Sequence, residues 1–158
     1  MLHYEVIVAG GGTAGFAAAV TAAKAGKKTL LIEEKAYLGG TATGAQICQF
    51  LGFANGEDQI PQKGIVRAVL DGLTAAGGSK GIEQIYLSGN KDLGVLVIPY
   101  ESDVLKEIID NLVCKAGVDV LFHTRVIGAE TSDGKITGLR IHNEEGIQTV
   151  TGDIVIDA

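Results

Sequence analysis

The residues of this chain best suited to chemistry are the glycines of the pattern Gly10-x-Gly12-x-x-Gly15, which separates an apolar run from an alanine-rich segment. In such a turn Gly10 permits a tight exit from a strand, Gly12 lacks the Cβ that would keep a pyrophosphate from the backbone, and Gly15 lets the helix approach the sheet. The first helical turn, which holds Thr13 and Ala14, offers free backbone N–H groups and the positive end of the helix dipole. The pattern predicts a binding site for the diphosphate of a dinucleotide.

An acidic side chain follows at the position where a dinucleotide-binding domain holds the ribose. Glu33 ends the second apolar run, roughly 20 residues after the glycines, where a carboxylate accepts hydrogen bonds from ribose hydroxyls. Its charge disfavours a 2′-phosphate on that ribose, although Lys35 weakens the repulsion. We therefore place Glu33, Glu34 and Lys35 at the cofactor. FAD and NAD both carry an unmodified adenosine ribose, so the motif leaves both open. The alternative interpretation is an ordinary strand-to-helix turn with a solvated Glu33.

The hydrophobic pattern places these residues in an α/β fold. Apolar runs predict buried strands over 4–9 and 29–33, and the segment between them predicts a helix over 13–25 that Gly26 ends. A strand–helix–strand unit of this length is a right-handed crossover between parallel strands. Beyond it, periodicity and turn residues predict helices at 64–76 and 102–116, two short strands within 82–99, a strand at 118–123, a meander from 125 and a last strand at 153–158.

The length, the net charge and the number and spacing of the cysteines limit the classes to which the protein can belong. The 158 residues suit about one domain, and 46% hydrophobic against 20% charged residues is a globular composition. The net charge of −6 argues against a nucleic-acid partner, and no apolar run reaches the roughly 20 residues that span a bilayer. Cys48 and Cys114 are far apart, as are the three histidines, so neither a disulfide framework nor a metal site is predicted. Because the sequence lacks the basic start and cleavable apolar stretch of a signal peptide, we expect a cytoplasmic location.

The segment EEKAYLGGTATGA, at 33–45, distinguishes between the two cofactors. Together with the glycine loop it resembles the FAD-dependent oxidoreductases of the glutathione-reductase-like superfamily, which carry a Leu-Gly-Gly-x-Ala-Thr-like segment after the acidic residue. The resemblance implies that Gly39, Gly40 and Thr41 lie along the ribityl-pyrophosphate of FAD. A plain NAD-binding domain has no need of this second glycine pair, whose alternative interpretation is a flexible loop.

The resemblance continues downstream, through 101–141 and the final GDIVIDA. It implies a backbone contact from Val126 to adenine, and a last strand that the family continues with a Thr-Gly-Asp segment, which would follow Ala158. Thr13 stands where the family commonly has proline, and its hydroxyl can cap the helix. The implied fold class is α/β: a Rossmann-like parallel sheet with flanking helices plus a three-stranded antiparallel β-meander, that is, an FAD/NAD(P)-binding domain incomplete at its C-terminus.

We expect one FAD-binding domain over 1–158, with its core in 1–44 and 100–158 and a helix and hairpin region inserted at 45–99. The expected function is that of the FAD-binding portion of a flavin-dependent oxidoreductase, which transfers electrons or hydride through FAD to or from a substrate. The fragment alone is expected to be inactive. The expected partner is a small-molecule substrate, without nucleic acid or membrane, and the chain is a candidate for homo-oligomer formation.

Two alternatives stay open at this point. One is the NAD-binding domain of a dehydrogenase, and the other is a truncated chain that holds no cofactor and self-associates through unpaired sheet edges. No catalytic residue is assigned, because flavin itself carries the electrons. Cys48 is close enough in sequence to the second glycine pair to approach the flavin, but a small buried residue is the favoured interpretation. Cys114 is interpreted as structural.

Overall fold

The computed structural model describes residues 3–45, 47–53 and 62–158. They form two compact units, one of Met1–Thr41 with Ile109–Ala158 and one of Ala42–Ile108. In chain order the elements are β1 (His3–Ala9), α1 (Thr13–Lys24), β2 (Thr29–Ile32), α2 (Thr41–Gly44), β3 (Gln49–Leu51), α3 (Ile65–Ala75), β4 (Glu83–Tyr86), a 3-10 turn (Leu87–Gly89), β5 (Gly94–Pro99), α4 (Ser102–Ala116), β6 (Asp119–Leu121), β7 (Arg125–Ser132), β8 (Lys135–Asn143) and β9 (Gly146–Asp157).

The first unit is built on a six-stranded sheet in the order β6-β2-β1-β9-β8-β7. The strands β6, β2, β1 and β9 run parallel, with Val8 of β1 opposite Leu31 of β2 and Ile156 of β9. Helix α1 connects β1 to β2 and buries Phe16 and Val20. The predicted strand–helix–strand unit with parallel strands is therefore confirmed, and with it the Rossmann-like sheet.

Strand β9 joins the parallel part of this sheet to the antiparallel meander of β7, β8 and β9. Its first half pairs antiparallel with β8, and its second half, from Thr151 to Asp157, pairs parallel with β1. The sequence predicted a meander and a separate last strand at 153–158, whereas the structure has one strand of 12 residues. Gly152 lies inside that strand, where an added Cβ would stand 2.7 Å from Ile7 Cδ1. Close packing against β1 accounts for this glycine.

An apolar cluster is shared by the parallel strands and the meander. Each large aliphatic side chain buried there contributes about 1.5–3 kcal/mol relative to leaving it in water. Its buried members are Tyr4, Ile7, Leu30, Ile32, Leu139, Ile141 and Val150. Because β8 supplies two of them, the meander and the parallel strands stabilise each other, and the strand ends are held in fixed positions.

The second unit contains a three-stranded antiparallel sheet in the order β3-β5-β4 and helix α3. The two short strands predicted within 82–99 are β4 and β5, and Ser88 adopts a left-handed φ of 52° in the turn between them. The sequence analysis did not identify α2 or β3, which are four and three residues long and carry no clear hydrophobic periodicity. Among the helices that the structure describes, none has the length and apolar character that a membrane crossing requires.

The difference in burial predicts unequal effects of substituting two isoleucines of the meander. Ile141 is 1% exposed and Ile147 is 65% exposed. Ile141→Ala should lower the free energy of unfolding by about 2–5 kcal/mol, because it leaves a cavity in the core. Ile147→Ala should change it by no more than about 0.5 kcal/mol. Denaturant unfolding of both variants measures the difference. Equal losses of unfolding free energy would contradict the assignment of Ile141 to the apolar cluster.

Candidate nucleotide-binding site

The glycine loop leaves β1 at Ala9 and enters helix α1 at Thr13. Gly10 adopts a left-handed φ of 102°, and its N–H donates to the carbonyl of Ile32 over 2.8 Å. An added Cβ at Gly10 would collide with the carbonyl oxygen of Ala158. Both the φ angle and the crowding require glycine here. The predicted role of Gly10, a tight exit from the strand, is confirmed.

Gly15 lies in the first turn of α1 and is buried. An added Cβ would overlap the carbonyl oxygen of Gly10, which is backbone and has little freedom to move. Helix α1 therefore starts against the end of β1 because Gly15 has no side chain. This geometry confirms the close approach predicted for Gly15.

Gly12 differs from both of these glycines, because nothing in the described chain requires it. It is the N-cap of α1 with φ −65°, an angle open to any residue. An added Cβ would meet no atom within 4 Å. The packing of the chain therefore does not explain this glycine, whereas the close approach of a ligand to the backbone would explain it.

The start of α1 is exposed and has no side-chain cap. Thr13 and Ala14 are exposed as the first helical residues, and the first turn carries no acidic side chain. The sequence suggested Thr13 as the cap of α1. In the structure the N-cap residue is Gly12, and no side chain makes a capping hydrogen bond. Thr13 lies one residue too late to occupy the capping position. This end of the helix thus presents backbone N–H groups of the kind that bind anions.

A second glycine loop lies against the first. The Gly39 N–H donates to the carbonyl of Gly11 over 2.8 Å. Gly39 and Gly40 have left-handed φ angles of 98° and 53°, and an added Cβ at Gly40 would stand 3.0 Å from Gly12 Cα. Thr41, which begins α2, is exposed. The structure therefore brings the predicted residues 39–41 beside the predicted residues 10–15.

Glu33 is buried at the end of β2, with 8% of its surface exposed. Its Oε2 accepts the Gly11 N–H over 2.7 Å, and its Oε1 accepts the Lys35 N–H over 2.8 Å. The alternative of a solvated Glu33 is therefore wrong. Gly11, the middle glycine of the loop, was missed by the sequence analysis because it occupies a variable position of the motif. An added Cβ there would stand 2.9 Å from Glu33 Oε2 and 2.5 Å from Leu38 Cδ2.

A cavity of about 240 Å³ opens where β1, β2 and β9 end and β7 begins, which is the edge at which parallel α/β sheets bind ligands. It brings the predicted Gly10, Glu33, Glu34 and Val126 together. The residues that line it are Ala9, Gly10, Ile32, Glu33, Glu34, Thr124, Arg125, Val126 and Asp157.

Arg125 belongs to this cavity and was not identified from the sequence, where its only signal is that it precedes Val126. Its guanidinium lies 3.0 Å from Glu34 Oε2, and Lys35 Nζ lies 3.1 Å from Glu34 Oε1. Hydrogen bonds from Lys35 and Arg125 hold the pKa of the Glu34 carboxyl below its ordinary value. The three side chains are exposed. Glu34 and Arg125 line the cavity, and Lys35 is paired with Glu34 beside it.

Cys48 and Cys114 are both exposed, and the two do not form a disulfide. The interpretation of Cys48 as a buried residue is therefore wrong. Its carbonyl accepts the N–H of Tyr100 over 2.9 Å, and the buried phenol of Tyr100 donates toward the carbonyls of Ala42 and Ile47. Burial raises the pKa of Tyr100 to about 12.

In the described part of the chain, no three His, Cys, Asp or Glu side chains are grouped as a metal site would need.

The chain is similar to flavin enzymes of known family. The sequence model of the FAD dependent oxidoreductase family matches residues 5–158. A digeranylgeranylglycerophospholipid reductase of Thermoplasma volcanium is 31% identical over 159 residues, and the same enzyme of Thermoplasma acidophilum is 30% identical over 159 residues. Each match covers 100% of this chain and 39% of the relative.

Solved structures agree with the sequence relatives. A geranylgeranyl bacteriochlorophyll reductase-like protein of Thermoplasma acidophilum matches with a TM-score of 0.66 and 25% identity, over 100% of this chain and 39% of that one. The myxobacterial chondrochloren halogenase, described as an FAD-dependent halogenase, matches with a TM-score of 0.70 and 22% identity, over 100% of this chain and 37% of that one. The second likeness concerns the fold alone.

The contrast between Gly12 and Gly15 predicts effects of different size on stability. Gly15→Ala should lower the free energy of unfolding by about 2–3 kcal/mol, because the new Cβ overlaps the Gly10 carbonyl and forces the backbone to move. Gly12→Ala should lower it by about 1 kcal/mol or less, since only the cap preference changes. Thermal and denaturant unfolding test both, and a larger loss for Gly12→Ala would refute the packing analysis of the loop.

Proposed function

We propose, from the premise that the chain belongs to the FAD dependent oxidoreductase family, that it forms the FAD-binding part of an enzyme that moves electrons or hydride between FAD and a small-molecule substrate. FAD is the cofactor of this family. The observation that carries the proposal is Gly12, which lacks any packing requirement and lies at an exposed, uncapped helix start. The chain spans 39% of the length of its Thermoplasma relatives, so the reaction of the whole protein is part of the proposal.

The diphosphate of FAD is assigned to the start of α1. There the backbone of Gly10, Gly12 and Gly15 allows close approach, and the N–H groups of Thr13 and Ala14 point toward the anion. No lysine or arginine is needed, because the helix dipole and the free N–H groups together favour negative charge. Bound FAD supplies the redox chemistry, and the chain's contribution is to hold and orient it.

The second glycine loop, with Gly39, Gly40 and Thr41, is assigned to the ribityl side of the same diphosphate. Its support is the hydrogen bond between Gly39 and Gly11, which keeps the two loops in contact. Glycine at 40 allows this loop to lie directly against Gly12, because an added Cβ would stand 3.0 Å from Gly12 Cα.

The adenosine is assigned to the cavity of about 240 Å³ at the strand ends. Glu33 keeps acceptor capacity for the ribose hydroxyls, because each carboxylate oxygen has two acceptor sites and one backbone donor. Glu34, Lys35 and Val126 border the adenine. The two carboxylates on this side disfavour a 2′-phosphate, which supports an unmodified adenosine ribose.

We extend the proposal to the organisation and setting of the chain. Residues 1–158 act as one FAD-binding domain, with 45–99 as a region inserted into a core of 1–44 and 100–158. A cytoplasmic location is supported by the absence of a disulfide between Cys48 and Cys114, since reducing compartments disfavour disulfides. The net charge of −6 supports the absence of a nucleic-acid partner. Self-association is supported by exposed Ile147 and Ile154 on the first unit.

Titration of the purified protein with FAD tests the proposal. The wild-type protein should bind FAD and quench flavin fluorescence, and it should show no comparable affinity for NADH. Gly12→Ala should weaken FAD binding by about tenfold or more, because its Cβ takes the space of the diphosphate and lengthens charge-assisted hydrogen bonds.

Gly128→Ala is the matched control. Gly128 also has an unstrained φ and open space around an added Cβ, but it lies within β7 and away from the helix start. It should leave FAD affinity unchanged. Protein that binds NADH but not FAD, or equal losses in the two glycine variants, would overturn the assignment.

A further inference from the structure

We infer that Glu33 is a positioning residue for the diphosphate site and not only an acceptor for the ribose. This inference rests on the proposed function, and it concerns how the two glycine loops are held in position. The structure assigns Glu33 this role because both oxygens of its carboxylate accept backbone N–H groups, one of them from the glycine loop.

Glu33 is fixed at four points. Its backbone N–H donates to the carbonyl of Leu121 over 2.9 Å, and its carbonyl accepts the N–H of Thr124 over 3.0 Å. Its two carboxylate oxygens accept the N–H groups of Gly11 and Lys35 over 2.7 and 2.8 Å. The residue is also buried, so its side chain has one orientation in which both oxygens are satisfied.

The hold of Glu33 on the first loop extends to the second. Gly11 donates its N–H to Glu33 and accepts the Gly39 N–H at its carbonyl over 2.8 Å, so both of its backbone polar groups are engaged. The side chain of Leu38, which is 1% exposed, packs against the Gly11 Cα. A chain of contacts from Glu33 through Gly11 to Gly39 therefore sets the relative position of the two loops that border the assigned diphosphate.

The chemistry of the carboxylate makes this role specific to Glu33. Both of its oxygens face backbone donors, and a carboxylate accepts at both. Glutamine has the same shape but presents one NH₂ group, which would face a backbone N–H and repel it. In Glu33→Gln the Gly11 N–H faces either the NH₂ group or a neutral amide oxygen, so its charge-assisted hydrogen bond is lost in both orientations. Weaker holding of Gly11 also loosens Gly39.

A pair of ligands separates positioning from ribose binding. ADP carries the ribose hydroxyls and the diphosphate, whereas 2′,3′-dideoxy-ADP carries the diphosphate without the hydroxyls. If Glu33 acted only on the ribose, Glu33→Gln would weaken ADP and leave the dideoxy ligand unaffected. If Glu33 positions the loops, the dideoxy ligand should also bind about tenfold more weakly to the variant than to the wild-type protein, as expected for loss of a hydrogen bond to a charged group.

Glu5→Gln is the matched control. Glu5 is also a strand carboxylate that accepts a backbone N–H from the neighbouring chain segment, that of Lys28 over 2.9 Å, and its replacement removes the same charge. It lies in β1 before the apolar stretch that leads to the loop, at the far end of the strand from Gly10. Calorimetric titration of all three proteins should show losses for Glu33→Gln alone. A loss confined to ADP, or equal losses for Glu5→Gln, would overturn the inference.

Amide hydrogen exchange gives a readout that a general loss of stability does not produce. In Glu33→Gln the amides of Gly11 and Gly39 should exchange at least about tenfold faster, while core amides such as that of Leu31 keep their wild-type rates. In the wild-type protein the amides of Gly11 and Gly39 should be protected from exchange and should become exposed together. This part of the test needs no variant, so a folding defect of a variant does not affect it. An unprotected Gly39 amide in the wild-type protein would overturn the inference without any variant.

The exchange measurement also keeps this inference separate from the proposed function. A wild-type protein that binds neither FAD nor ADP would refute the assignment of the cofactor site. The linked protection of Gly11 and Gly39, and its loss in Glu33→Gln, would still test the positioning role on the protein without ligand.

Discussion

The contact between the backbone of Gly15 and the carbonyl of Gly10 is the constraint on which the site depends. It seats the first turn of α1 directly on the end of β1, so the positive end of the helix lies at the edge where the parallel strands finish. Any side chain at Gly15 would push the helix away and carry its N–H groups with it. The rest of the first unit supports this placement, because β2 and β9 flank β1 and fix its end from both sides.

The elements and site residues that follow from local chemistry could be predicted from the sequence. Gly10 and Gly15 satisfy requirements of a turn and of a helix start that lie within six residues of each other. The bounds of α4 follow in the same way from the spacing of its apolar residues. Sequence spacing is sufficient in these cases because the interacting groups are close along the chain.

The remaining features depend on contacts between distant segments, which spacing does not reveal. Gly11 is constrained by Glu33 and Leu38, so its importance emerges only when three segments meet. Arg125 reaches Glu34 across the cavity from another strand. The continuity of β9 depends on pairing with β8 at one half and with β1 at the other. In each case the tertiary arrangement decides the role, and the residue type alone is compatible with several.

The charge of the protein agrees with a proposed anion site that is marked by a glycine pattern and not by a basic cluster. The chain has a net charge of −6, and Arg125, which lines the cavity, and Lys35 are both paired with Glu34. These two cations are therefore already engaged at the proposed adenosine end. In the proposal, attraction for the diphosphate comes from backbone N–H groups and the dipole of α1, which contribute no formal charge. Backbone N–H groups bind an anion only where the anion can reach the backbone. Glycine at the start of the helix leaves that approach open, because it has no side chain.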